Sequence, residues 1–206
     1  LQEQDGGDSM KRIYLTQRVE RIEPVGERRD ALSQEWAALA EDCGFLPIPL
    51  PNHLPTVRLL LKTLPPDGIL LTGGNDLAAY GGDAPERDQV ERYLIERSLE
   101  DCIPLLGVCR GAQMLMDYCG TLLQRVEGHV RVEHSLSNGD TVNSFHSWGA
   151  RECRPPLTDL AWSADGVLEA VRHRDCSWIW GVMYHPERYH PFRAQDIEFM
   201  KEALQL

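Results

Sequence analysis

A short apolar run that leads into a glycine-flanked cysteine constrains the fold of this chain more than any other feature. Residues 104–113 read Pro-Leu-Leu-Gly-Val-Cys-Arg-Gly-Ala-Gln, so that Cys109 lies between Gly107 and Gly111. The pattern predicts a strand, a sharp turn and a helix, which is a nucleophile elbow with cysteine in place of serine. The glycines avoid side-chain clashes in the turn, and the helix N-terminus favours the thiolate. We therefore expect Cys109 to be a catalytic nucleophile.

The segments on either side of this motif alternate between strand-like and helix-like patterns. Strands are predicted at residues 12–16, 45–50, 68–72 and 103–108. Helices are predicted at residues 28–43, 56–64 and 111–118, with another that begins near Pro85. This alternation predicts an α/β fold with a mostly parallel central sheet flanked by helices, as in a flavodoxin-like three-layer sandwich.

The last third of the chain is richer in strand patterns. Extended segments are predicted at residues 130–134, 141–145, 160–164, 166–173 and 178–183, and a closing helix at residues 191–204. Asp165 and Gly166 predict a hairpin turn. We expect a small additional β region here, within one domain that spans residues 10–206. Residues 1–9 are polar and precede Met10, and are expected to be a disordered extension or a cloning remnant.

Charge and cysteine content narrow the class of protein. The net charge of −11 argues against nucleic acid and anionic membranes as partners. No apolar run is long enough for a transmembrane helix. The six cysteines form no C-x-x-C pair, which favours a reduced cytoplasmic protein. No motif demands a metal or an organic cofactor, so neither is expected.

Two further turns offer partners for the cysteine. His185 follows an apolar strand, and Glu187 lies beyond a proline that stiffens the turn. They are a candidate base and its orienting carboxylate, although a lone His-Pro pair is more often only a turn. Gly73 and Gly74 also follow a strand and could supply backbone donors to an oxyanion, although most such pairs are also simple turns.

Together these motifs resemble the class I glutamine amidotransferase superfamily, in particular its γ-glutamyl hydrolase-like (peptidase C26-like) branch. The resemblance rests on four segments in family order, at residues 73–76, 107–113, 142–146 and 185–187. It implies a cysteine-dependent hydrolase that cleaves a γ-glutamyl amide through a γ-glutamyl thioester.

The resemblance also assigns a role to each residue. It implies that Cys109 attacks the γ-glutamyl carbonyl, that His185 acts as base and then acid, and that Glu187 orients His185. The backbone N–H groups of Gly74 and Arg110 would form the oxyanion hole. The residues implied to hold the glutamyl group are Gln113, Ser144, Phe145 and His146. His134 is expected to be structural, and Asp76 to brace the Gly-Gly turn through its own backbone.

The leaving group is less constrained than the acyl group. Residues 13–18 and 29–36 look similar to a small group of γ-glutamyl-CDP-amidate hydrolases, which act in phosphoramidate modification of surface polysaccharide. Arg18, Arg110 and Arg188 are then candidates to meet the diphosphate, or else are solvated surface arginines. Three alternatives remain: a glutaminase that serves a separate synthetase, a hydrolase of other γ-glutamyl amines, and a non-catalytic redox-sensing or scaffold protein.

Overall fold

The computed structural model describes residues 10–206, so the expectation for residues 1–9 lies outside the described residues. The strands β1 to β13 are Arg12–Leu15, Arg18–Ile22, Glu27–Ala31, Leu46–Pro49, Gly68–Leu71, Leu105–Val108, Gln124–Arg125, Val130–Ser135, Thr141–Phe145, Trp148–Gly149, Leu157–Trp162, Leu168–His173 and Ile179–Val182. The helices α1 to α5 are Glu35–Cys43, Leu54–Thr63, Pro85–Asp101, Arg110–Tyr118 and Ala194–Leu204.

A seven-stranded sheet in the order β11-β12-β13-β6-β5-β1-β4 forms the centre of the fold. Strands β4, β1, β5, β6 and β13 are parallel, and β12 and β11 are antiparallel additions at one edge. The buried runs of β5 and β6 are apolar throughout, as expected for strands covered on both faces. The predicted fold class is confirmed.

Helices cover both faces of this sheet and create two apolar cores. Ile69 and Leu71 on β5 face the core shared with α2, α3 and α4, whereas Leu70 faces the core of α1 and α5. This alternation follows from the period of two residues in a strand. Among the helices described at residues 10–206, none is long and apolar enough to cross a bilayer.

The predicted helix at residues 28–43 is wrong in its first part. Residues 18–31 form an antiparallel hairpin of β2 and β3, and α1 begins only at Glu35. The apolar positions that α1 buries start at Trp36, and the preceding residues 27–30 are all charged. Arg28 in this hairpin pairs with Glu86 instead of following a helical face.

The predicted β region in the last third is confirmed. Strands β8 and β9 pair outside the central sheet, and β7 pairs with β10. Asp165 and Gly166 lie in the turn between β11 and β12, where Gly166 adopts a φ of 80°. Strand β11 begins at Leu157, three residues earlier than predicted, because its pairing with β12 already starts there.

The strand order determines where the predicted turns meet. Strands β5, β6 and β13 are neighbours and run parallel. The turn at Gly73, Cys109 and His185 each follow the carboxyl end of one of them. In a parallel sheet these ends lie along one edge, which is where ligands bind in folds of this type.

Candidate active site

The chain reverses sharply at Cys109, between β6 and α4. Cys109 has a φ of 51° and a ψ of −105°, a backbone conformation that residues other than glycine rarely adopt. A Cβ on Gly107 would lie 2.6 Å from the backbone of Gly111, and a Cβ on Gly111 would lie 2.1 Å from the Leu71 carbonyl oxygen. The Cys109 amide donates to Val182 O at 2.7 Å. The predicted strand, turn and helix are confirmed, and both glycines are required by close backbone approach.

His185 and Glu187 form a buried pair next to this turn. His185 Nδ1 and Glu187 Oε1 are 2.7 Å apart, and both side chains are almost completely buried. Asn143 on β9, which sequence analysis missed, fixes the backbone of His185 by donating to His185 O at 2.9 Å and accepting from His185 N at 2.8 Å. The ring of Phe145 meets the imidazole edge-on at 5.6 Å between centroids.

The surroundings of the His185 imidazole favour its protonated form. Burial alone lowers the pKa of His185, but the neighbouring Cys109 and the Glu187 carboxylate outweigh it and raise that pKa to about 9. At neutral pH this favours the protonated form of the His185 imidazole. The structure therefore brings together the three residues from separate predicted motifs.

The Gly-Gly turn is held by Arg87, a residue that sequence analysis did not single out. Arg87 on α3 is completely buried and donates to Thr72 O at 2.6 Å, Gly73 O at 3.0 Å and Gly74 O at 2.6 Å. These contacts fix the carbonyl groups of the turn toward α3. A Cβ on Gly73 would lie 2.7 Å from His185 Cε1, so the turn packs directly on the imidazole.

The predicted role of Asp76 is wrong. Its carboxylate accepts from Trp148 Nε1 at 3.2 Å and does not bond its own turn. Asn75 stabilises the turn instead, since its side chain accepts from Val19 N at 2.8 Å and donates to Val19 O at 2.9 Å. An asparagine suits this position because its φ is 56°.

The side chain and the backbone of Arg110 lie in different surroundings. The guanidinium is 1% exposed and is ion-paired with Asp88 and Glu91, so the expectation that it meets a diphosphate is wrong. Burial penalises a free cation, and these two carboxylates compensate for it. The backbone N–H of Arg110 lies in the first turn of α4, where amides have no intrahelical acceptor. It is thus available as a donor beside Cys109.

A cleft of about 190 Å³ opens beside the imidazole. The residues that line it include Arg18, Ser33, Trp36, Gly74, His185 and Arg188. The β2–β3 hairpin and α1 thus form one wall, and the predicted Arg18 and Arg188 both line the cleft. The guanidinium of Arg188 also stacks on Phe145, at 4.2 Å from the ring centroid. A cleft with two arginines is suited to an anionic group.

The other predicted substrate contacts are engaged inside the protein. Gln113 Nε2 donates to Trp148 O at 2.9 Å, Ser144 Oγ to His129 O at 2.8 Å, and His146 Nδ1 to Trp148 O at 3.0 Å. These side chains are buried and do not line the cleft. As arranged here, they hold the strand that presents Phe145 instead of reaching a ligand in this cleft.

The remaining cysteines differ from Cys109. All six are free thiols. Burial raises the pKa of Cys43 to about 11 and that of Cys119 to about 12, which keeps both protonated. Neither follows a strand-to-helix turn. This agrees with the expectation that they contribute packing and not chemistry.

Comparison with known proteins identifies the relatives of this chain. A sequence profile of the Peptidase C26 family matches residues 14–139 and 127–187. The γ-glutamyl-CDP-amidate hydrolase of Campylobacter jejuni is 31% identical over 203 residues, which cover 94% of this chain and 98% of that protein. The γ-glutamyl-γ-aminobutyrate hydrolase PuuD of Escherichia coli is 29% identical and matches 79% of this chain and 80% of its own length. A solved structure from Thermoplasma acidophilum, provisionally assigned to GMP synthase, shares the fold with a TM-score of 0.72 at 17% identity, covering 95% of this chain and 93% of that one.

Proposed function

Because the chain belongs to the Peptidase C26 family, we propose that it is a cysteine-dependent hydrolase of a γ-glutamyl amide bond. One observation carries this proposal. The buried imidazole of His185 lies 2.7 Å from Glu187 and lines the cleft, and Cys109 is among the neighbours that raise its pKa. A nucleophile, a base and an orienting carboxylate in this order are the requirements of acyl transfer through a covalent intermediate.

The proposed reaction proceeds in two steps. Cys109 Sγ attacks the γ-carbonyl carbon, and the N–H groups of Gly74 and Arg110 stabilise the negative charge that develops on the oxygen. His185 then gives its proton to the leaving nitrogen, the carbon–nitrogen bond breaks, and a thioester remains. Water, deprotonated by His185, attacks the thioester, the carbon–sulfur bond breaks, and glutamate and the free thiolate are released. Glu187 stabilises the imidazolium throughout.

We further propose that the substrate is a γ-glutamyl-CDP-amidate, and that the reaction belongs to modification of surface polysaccharide. Two features support this choice. The Campylobacter jejuni relative with this activity in its name aligns with nearly the full length of both chains. Arg18 and Arg188 face one cleft beside His185 and match the charge of a diphosphate. Six free thiols suit a reducing compartment, and the proposal includes a cytoplasmic location.

Glutamate release by the isolated chain tests this proposal. The substrates to compare are γ-glutamyl-CDP-amidate, γ-glutamyl-γ-aminobutyrate and glutamine. We expect rapid release from the first and slow release from the others. Silence toward both conjugates, with slow release from glutamine, would contradict the proposal and favour a glutaminase that needs a synthetase. Preference for the aminobutyrate conjugate would contradict the leaving group alone.

Two arginine variants test the leaving-group site. Arg18→Ala and Arg188→Ala should lower kcat/KM for the diphosphate conjugate by about 10–100-fold, the cost of losing a charge-assisted hydrogen bond. Their effect on γ-glutamyl-γ-aminobutyrate should be small. Arg21→Ala is the matched control, because Arg21 lies on the same hairpin with an exposed side chain outside the cleft. An equal loss on both substrates would show that the arginines do not recognise the diphosphate.

A further inference from the structure

A second cluster of ionisable side chains lies beneath β9, and the proposed reaction does not use its charges. Glu169 on β12 is completely buried, and three histidine nitrogens converge on its Oε1 atom. His129 Nδ1 lies at 3.3 Å, His146 Nε2 at 3.4 Å and His134 Nε2 at 3.6 Å. Within residues 10–206, neither these nitrogens nor the two Glu169 oxygens have a hydrogen-bond partner.

The outer nitrogens of two of these rings determine what the inner nitrogens can be. His146 Nδ1 faces Trp148 O at 3.0 Å, and a carbonyl only accepts, so this nitrogen carries the proton. His129 Nε2 faces the Asp165 carboxylate at 3.2 and 3.3 Å and must also be the donor. In a neutral ring the inner nitrogen then has a bare lone pair. A lone pair aimed at a buried carboxylate is repelled by it unless the ring takes up a second proton or a cation lies between them.

The spacing of these atoms fits a metal ion. Zinc bound at its usual distances from nitrogen and oxygen holds tetrahedral ligand atoms about 3.3–3.6 Å apart. The nitrogen-to-oxygen distances of 3.3, 3.4 and 3.6 Å lie in this range. The ligand atoms of His129, His146 and Glu169 all lie within 4.8 Å of one another. An outer carboxylate or carbonyl on the second ring nitrogen is also the usual support of a zinc-bound histidine.

We propose that His129, His146 and Glu169 bind one Zn²⁺ ion, and that His134, which approaches only the carboxylate, lies outside the ligand set. Two imidazoles and one carboxylate are a ligand set that suits zinc, with a water molecule as the fourth ligand. Sequence analysis expects no metal, and this proposal replaces that expectation.

The proposed ion has a structural role next to the candidate active site. It links the segment before β8 and the end of β9, two strands that pair with each other, to β12 in the central sheet. His146 directly follows Phe145, which contacts His185. The Trp148 carbonyl that supports His146 also accepts from Gln113 on α4. Zinc therefore fixes the position of β9, the strand that carries Phe145, without contacting the reacting atoms.

The metal content of tag-free protein tests this site. The Cys109→Ala variant serves as the parent, because a thiolate could itself bind zinc. We expect about one zinc ion per chain in this parent after dialysis, and a loss of the ion in Glu169→Gln and His129→Ala. His53→Ala is the matched control, since His53 is exposed and its side chain contacts Thr56 and no residue of the cluster. A metal-free parent whose Tm does not rise with added Zn²⁺ would overturn the proposal.

A variant outside the ligand set guards against loss of the fold. Asp165 supports His129 from the surface side, and Asp165→Asn should weaken zinc affinity about 10–100-fold in a chelator competition. Asp175→Asn, at an exposed aspartate, should not change it. Substitution with Co²⁺ should give the visible spectrum of tetrahedral nitrogen and oxygen ligands without a thiolate charge-transfer band. Equal affinity in both aspartate variants, or a thiolate band, would contradict the assignment.

Discussion

At the scale of single residues, the backbone of Cys109 combines a φ of 51° with a ψ of −105°, whereas Cys102, which also has a positive φ, lies in the left-handed helical region. This conformation of Cys109 costs about 1–3 kcal/mol of free energy and persists only because the surrounding structure holds it. The close approach of Gly107 and Gly111 and the bond to Val182 O provide that structure. Such an outlier next to a buried imidazole is what a nucleophile requires, and a packing cysteine needs neither.

The raised pKa of His185 predicts an alkaline limit of activity. With a pKa of about 9 in place of 6.5, the imidazole keeps the proton that the leaving nitrogen needs across the neutral range. We expect kcat/KM to fall as pH rises through about 9. The same proton contributes stability fully below pH 6.5, and this contribution is lost as pH rises to about 9.

The matched variants for this pH profile are two glutamates. Glu187→Gln removes one cause of the raised pKa and should move the alkaline limb to lower pH. Glu35→Gln, at an exposed glutamate, should leave the limb where it is. An unchanged limb in Glu187→Gln, with normal activity, would show that Glu187 does not act on His185.

The sequence predicted some of these residues and not others. Cys109, His185 and Glu187 stand in short local motifs whose chemistry is readable. His129 and Glu169 are forty residues apart and meet only through strand pairing. The spacing His129-x4-His134 is one that zinc ligands often show, but the second ligand histidine of the proposed site is His146. The spacing was a weak signal because nothing nearby in the sequence completed the set.

At the scale of elements, α3 connects both halves of the proposed oxyanion hole. Arg87 holds the Gly-Gly turn, and Glu91, four residues along, pairs with both Arg87 and Arg110. A single helix thus fixes the turn after β5 relative to the elbow after β6. Its buried charges are compensated by one another, which makes the arrangement specific to these partners.

Replacement of Arg87 by lysine tests this connection. Lysine keeps the charge but cannot reach three carbonyls at once. We expect Arg87→Lys to lower kcat by about 10–100-fold with little change in KM, because the donors that stabilise the transition state shift. Arg97→Lys is the control, as Arg97 lies on the same helix and pairs only with Glu100 and Asp101. A raised KM with normal kcat would contradict a role for Arg87 in positioning the oxyanion hole.

The close packing at the elbow predicts that alanine is more destabilising at Gly111, which lies in the elbow, than at Gly139, which lies outside it. Gly111→Ala should reduce the free energy of unfolding by about 3 kcal/mol, because the new Cβ would overlap backbone at Leu71. Gly139→Ala has open space and only a positive φ to tolerate, and should cost about 1–2 kcal/mol. Urea denaturation of both variants measures this. Equal losses would mean that the close approach at Gly111 is not a constraint.

Element prediction failed where long-range pairing outweighs local pattern. The apolar strands β5 and β6 and the helix α4 were readable because burial on both faces leaves an unbroken apolar run. The β2–β3 hairpin was missed because it is charged and exposed, and its register depends on Arg28, Asn75 and the neighbouring α3. This hairpin forms a wall of the cleft, so the proposed leaving-group site is the part of the structure that the sequence predicts least well.

At the scale of the whole molecule, sheet order converts separate motifs into one site. Sequence patterns predicted parallel strands but could not give the order β13-β6-β5, which makes the three turns adjacent. That order depends on which strands each connection joins across the sheet, and local patterns do not specify it. The net charge of −11 is likewise a property of the whole surface, and it conceals the two arginines that face the cleft.

The most direct test of the account is the covalent intermediate on Cys109. Protein mixed with excess γ-glutamyl-CDP-amidate is acid-quenched within the first turnover and analysed by intact mass and peptide mapping. We predict a mass increase of one γ-glutamyl group, located on the peptide that contains Cys109. Cys119→Ala should acquire it, and Cys109→Ala should not. Glutamate release with no adduct at any time, or with full rate in Cys109→Ala, would contradict the central claim that this cysteine is the nucleophile.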